Sequence, residues 1–337
     1  MTEDPETTVR ATERWLDAHG LPWFVESQGV AVRRRLSRGH LVRVGLLALL
    51  VAVGVGISVG WWRDTAAGLA WGETAFAALV AGWALRSLYG SAVAGWAARR
   101  TLRSLGLLFP LASRALPLLL LFITFLFINT EVWQVTSALD TGVLWQAVLV
   151  FAVIGVGFLL ARLPEELEEY DAELTAETVV TACTGTPVEQ AAAELEVTEE
   201  MLERHSDVVG LERGNLVLVL LIAQAIQVLL LSIAVWVFFL VFGSVAIQDE
   251  VILDWVGHRP HYAPGFALVS LELVKVSTFL AAFAGLYFTV YAVSDANYRK
   301  QFFTRIRREL ERAVSVRLVY RSLLENGGSE PRRPEQS

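Results

Sequence analysis

The sequence predicts an all-α, polytopic membrane protein: a bundle of six transmembrane helices with a small acidic helical insert on the cytoplasmic side. Three observations predict it. Hydrophobic residues make up 54% of the 337 residues and the mean hydropathy is +0.49, too apolar for one soluble core. The apolar residues are bunched into six long runs. The net charge of -7 is segregated along the chain, with acids and bases in different segments.

Residues 1–40 come first, carrying a short amphipathic helix in TTVRATERWLDAHG, stopped by Gly20 and followed by LPWFV. Two placements suit it. Trp15, Leu16, Trp23 and Phe24 can lie on the inner leaflet while the RRRLSR run meets anionic headgroups, or the segment can pack as a cap on the helix ends. So long a polar stretch before Leu41 argues for an uncleaved first span over a signal peptide.

Residues 41–161 hold four spans: Leu41 to Gly60, Gly68 to Gly90, Leu116 to Trp133, and Gly142 to Ala161. Each approaches the roughly 20 residues that cross ~30 Å of hydrocarbon. The second has the shortest charge-free centre, since Glu73 and Arg86 sit near its ends. Gly56 and Gly60 form a GxxxG pattern in the first span, which lets helix backbones approach closely within or between subunits. Asn129 and Glu131 mark the end of the third.

Residues 162–215 form the acidic insert, with two or three short helices broken at TGTP and near Gly210. Within it, Pro187 to His205 has the outline of a helix-turn-helix. DNA binding would need basic side chains on the second helix, and Glu199, Glu200 and Glu203 outweigh Arg204, so no nucleic-acid partner is expected. Thr198 instead suits a helix start, with Met201 and Leu202 packing on a neighbour.

Residues 216–293 hold the last two spans, Leu216 to Ile247 and Phe266 to Val293. The fifth is longer than a bilayer needs and carries Gln224 and Gln227 on one face. The sixth begins beside Glu272 and Lys275. Counting back from the inner end near Val293 puts Lys275 at the outer edge of the hydrocarbon and Glu272 in the headgroup layer, paired with it at i, i+3. Residues 294–337 end the chain with a basic amphipathic helix from Tyr298 to Glu325, with Phe302, Ile306, Leu310 and Val314 at helical spacing, and a disordered tail.

Orientation follows from the basic residues. With both termini cytoplasmic, 25 of the 28 lysines and arginines fall on the inside, which leaves Arg63, Arg259 and Lys275. Trp61, Trp62, Trp133, Trp145 and Trp255 cluster near the outer ends as an aromatic belt.

Chemistry has little support. Cys183 stands alone, without a CxxC or Cys/His neighbourhood. His258 and His261, with Asp249, Glu250 and Asp254 upstream, have a loose metal-ligand flavour, but the HRPH spacing contains a proline and suits a solvated outer loop. Glycine runs such as GVGISVG lie inside apolar helices, where they cannot cradle phosphate. No enzyme activity, cofactor or metal is therefore expected.

LPWFV, FINTEVWQV, ARLPEEL and the span LVLVLLIAQAIQVLLLSIAVWVFFLVFG resemble uncharacterised integral membrane proteins of GC-rich bacteria, in keeping with two lysines against 26 arginines. The resemblance implies an inner-membrane protein and carries over no site residues. Two functions are expected. The first is a non-enzymatic scaffold in the lipid bilayer, binding a cytoplasmic protein through residues 162–215. The alternative is a small channel or transporter whose path or gate uses Glu272, Lys275, Gln224, Gln227, Asn129 and Glu131.

Overall fold

The computed structural model describes residues 5–103, 120–168, 175–195, 197–198, 201–202, 210–263, 266–294 and 311–325. The expected start of the third span at Leu116, the stretch from Tyr298 to Leu310 and the polar tail lie outside these. Five helices are long and apolar enough to cross a membrane, or six if one bent pair counts as a span. They are α3 (Arg38–Trp62), α4 (Thr65–Ser87), α8 (Thr141–Glu168), α11 (Leu211–Ala246) and α13 (Leu271–Ser294), with α6 (Leu120–Phe127) and α7 (Thr130–Ala138) as the bent pair. Large apolar side chains such as Leu47, Leu50, Val153 and Val241 point outward from these helices, as a bilayer environment requires.

α3 meets α4, α4 meets α8 and α5 (Gly90–Arg103), α8 meets α13 and α11, α13 meets α11, and α11 meets α5. α13 is the central helix: half of its span is buried, against 11% for α3. The α3–α4 contact is built on glycine, because a methyl group on Gly68 would sit 2.6 Å from the Gly56 carbonyl oxygen and 2.8 Å from the Gly60 Cα. The GxxxG pattern of the first span thus packs within the chain, against Gly68 and Gly72.

Two cores occupy opposite ends of the bundle. At one end, the cap, residues from at least five regions share one apolar cluster. They include Leu16 of α1 (Pro5–Ala18), the 3₁₀ turn Pro22–Phe24, Val93 of α5, Val179 and Ala192 of the insert, Leu216 of α11, and residues of α14 (residues 311–325). At the other, the hairpin end, Phe127 and Trp133 pack with Phe239, Ile252 of α12 (Asp249–Val256) and Leu273. α11 connects them: its 36 residues span about 54 Å, so it exceeds the bilayer at both ends.

Of the two placements open to the N-terminal segment, burial favours packing on the helix ends. Leu16, Trp23 and Phe24 are all closed from solvent, and Trp23 donates its backbone N–H to Asn215 Oδ1 at 2.8 Å while Asn215 Nδ2 donates to the Gly20 carbonyl at 3.0 Å. Helices α9 (Ala176–Ala182) and α10 (Glu189–Glu194) flank the TGTP break, where Gly185 takes φ +71, and Thr198 accepts from the Met201 N–H. α2 (Glu26–Arg35) leads into α3, and Arg35 donates to the Ser87 carbonyl at 3.0 Å, capping the end of α4.

Three expectations are corrected. The third span is not one straight helix: α6 and α7 meet at 71°, and Asn129 restarts the helix by accepting from the Val132 N–H at 3.2 Å. This bend folds α7 over the bundle end, so Trp133 is fully buried, not part of a belt, with its indole donating to the Phe127 carbonyl at 2.7 Å. Trp61 and Trp62, in contrast, are fully outward-facing. Third, the sixth span starts later than its apolar run, because Phe266–Ser270 forms a strand antiparallel to Tyr262–Ala263, and the helix begins at Leu271.

Candidate functional sites at the two ends of the bundle

The cap is organised around α14. Residues 313–320 are buried all along, a pattern of a helix enclosed on every side and not of one lying on a surface. Enclosure brings a charge with it. Arg317, closed from solvent, pairs with Glu212 in the first turn of α11 at 2.5 Å, and the half-exposed Arg321 reaches the other oxygen of Glu212 at 2.8 Å. Arg317 also lies over the Phe24 ring at 6.0 Å. Charge, stacking and apolar burial therefore converge on one helix from the N-terminal segment and from α11.

The insert closes the cap from another side. Arg312 donates to the Thr184 carbonyl at 2.8 Å and lies over the Trp15 ring at 5.8 Å. Between α9 and α14 runs an open cleft of about 490 Å³, lined by Glu177, Thr178, Thr181, Thr184, Glu311 and Arg312. Its volume suits a small molecule, yet it is wide open, and charged and hydroxyl-bearing residues line it, unlike an enclosed ligand pocket. Behind it, Cys183 is buried and burial pushes its thiol up to about 12, so it is a packing residue. Burial and the neighbouring Glu13 carboxylate likewise raise the Tyr320 hydroxyl, which donates to Glu13 at 3.0 Å.

At the hairpin end the two charges beside the sixth span have different partners from those expected. Glu272, 4% exposed, accepts the His261 backbone N–H at 3.0 Å through Oε2 and meets His261 Nδ1 at 2.8 Å through Oε1. Lys275 donates to the carbonyls of Ser137 and Leu139 at 2.8 and 2.6 Å, closing the C-terminal end of α7. The i, i+3 pair is replaced because both groups lie between elements that offer stronger local partners: an open loop on one side, unsatisfied helix-end carbonyls on the other. Tyr262 beside them donates to Asp249 at 2.5 Å, and that bond pushes its hydroxyl up to about 12.

The six residues expected to line a path form two groups. Glu272, Lys275 and Asn129 gather at the hairpin end, with Glu131 exposed on the first turn of α7. Gln224 is buried in α11 near the cap, with Gln227 one turn on. Gly243, which contacts Leu273, lies nineteen residues further, so about 28 Å along α11 separates the groups. Sequence reasoning missed Glu212, Arg317 and Arg321, whose pairing needs α14 to return to the start of α11, more than a hundred residues upstream. The chain matches no protein-family model, no curated protein and no solved structure.

Proposed function

We propose that this is a non-enzymatic multi-pass protein of the bacterial inner membrane that works as a scaffold, holding a cytoplasmic protein partner on its cap. One observation carries the proposal: the N-terminal segment, the acidic insert and α14 share a single core with α11. Segments with no role beyond flanking the spans have no need to bury a helix on all sides at such cost in ordering. Placing the cap in the cytoplasm rests on the positive-inside distribution of arginine.

The insert offers the partner surface, since residues 162–215 carry fifteen acids against three arginines. A surface of that sign recruits a basic segment of a partner and repels anionic headgroups, so the cleft faces the cytosol. Site-specific photo-crosslinking in native membranes tests this. A photoreactive residue at Thr181 should give one recurrent adduct, weakened by Glu177→Lys and missing from a probe at Asp254. Adducts equal at both positions, or none in repeated trials, would sink the scaffold reading.

A further inference from the structure

The loop between α12 and α13 and the first turn of α13 bring together three metal-ligating side chains that sequence spacing alone kept apart. Gly257, at φ +79, ends α12 in the left-handed conformation, and His258 follows at once. Three residues on, His261 precedes the strand pair, whose register of Tyr262 with Ser270 folds the chain back to the first turn of α13. The Leu271 N–H donates to the His261 carbonyl at 2.7 Å and fixes that return. The result is that ligand atoms of His258, His261 and Glu272 all lie within 4.8 Å of one another.

The third ligand comes from downstream, not from the acids upstream of HRPH. Glu272 is already oriented for ligation. The His261 backbone N–H holds Oε2, which leaves Oε1 facing the two imidazoles at 2.8 Å from His261 Nδ1 and 4.0 Å from His258 Nδ1. Tetrahedral ligation by nitrogen and oxygen at about 2.0–2.1 Å needs donors about 3.3 Å apart. The two distances straddle that value. Both rings are exposed enough to rotate, and they lie 5.1 Å apart between centroids.

We propose that His258, His261 and Glu272 bind one borderline divalent transition-metal ion, of the Zn²⁺ type, at the hairpin end of the bundle. Two imidazoles and one carboxylate suit such an ion and disfavour Mg²⁺ and Ca²⁺, which take oxygen ligands. Three protein ligands leave a fourth position for water. The backbone N–H on Oε2 supplies the outer contact that orients the carboxylate. Binding ties the end of α12 to the start of α13. This site is independent of the cap and of the scaffold reading.

Zn²⁺ titration of the full-length protein, without a histidine tag and in lipid nanodiscs, tests the proposal against a chromogenic chelator. The expected result is one ion per chain, undisplaced by excess Mg²⁺ and weakened at least about tenfold by His258→Ala and His261→Ala. His258 is half-exposed, so its variant keeps the fold and reports ligation alone. A Co²⁺-loaded sample should show the intense visible bands of four-coordinate nitrogen and oxygen ligation, lost in His258→Ala. Failure to retain Zn²⁺ against the chelator, or equal retention by both variants, would overturn the site.

Discussion

Replacing Glu212 by glutamine tests how the cap is built. In the native protein the carboxylate neutralises Arg317, whose side chain is 3% exposed, and also touches Arg321, 44% exposed. Glutamine preserves shape and removes the charge, so the buried Arg317 guanidinium loses the Glu212 carboxylate at 2.5 Å. Breaking a buried pair from one side costs about 3–5 kcal/mol, whereas the exposed Arg321 contact is worth about 0–1 kcal/mol. Taking about 3 kcal/mol for the loss, opening of α14 becomes on the order of 100-fold more frequent. Hydrogen exchange of the amides of residues 313–320 reads this directly. Arg321→Met should change the same amides by less than about fivefold. Glu212→Leu combined with Arg317→Leu should restore most of the protection, because both members of this buried pair are then removed together. Unchanged exchange in Glu212→Gln would refute the buried pair as an organiser of the cap.

Other outcomes follow from the same contacts. Gly68→Leu should lower the thermal unfolding midpoint in detergent, at a cost of about 1–3 kcal/mol, because no Cβ fits beside Gly56, whereas Gly82→Ala, which meets nothing within 4 Å, should not. Cys183 should resist maleimide at neutral pH in the native protein and label fully once denatured. Its thiol is raised from 9.0 to about 12, so the stability it contributes is present below pH 9 and is lost as pH rises from 9 towards about 12, detectable as a falling unfolding midpoint. Lys275→Met should speed exchange around residues 137–141 by about tenfold or more, as helix-end carbonyls lose a charged donor. The His261 amide should stay protected in that variant; its loosening would revive the Glu272–Lys275 pair.

Much of the bundle was legible because hydropathy alone dictates it. Runs such as Leu41 to Gly60 and Leu216 to Ile247 have no soluble alternative, and the structure makes each a helix. Phe266–Ser270 was not legible as a strand, since a short apolar run has the same composition in either state; only pairing with Tyr262–Ala263 decides it. Asn129 announced a helix boundary, yet the 71° turn there depends on Trp133 finding a buried site against Phe127 and Trp255. Arg312, Arg317 and Arg321 belong to the charged side of the basic amphipathic helix predicted from Tyr298 to Glu325. They became cap residues because Trp15, Phe24, Thr184 and Glu212, all more than a hundred residues away in sequence, cover that face. Glu272 beside Lys275 invited pairing by proximity in sequence; a backbone N–H and an imidazole eleven residues upstream took the carboxylate instead.

We propose that cap and hairpin lie on opposite sides of the membrane, with the cap in the cytoplasm. Single cysteines in a Cys183→Ala background, probed with a membrane-impermeant maleimide, measure it. Thr178→Cys and Glu325→Cys should label only in inverted vesicles, and Asp254→Cys only in intact spheroplasts. Labelling of all three from one side would contradict the account.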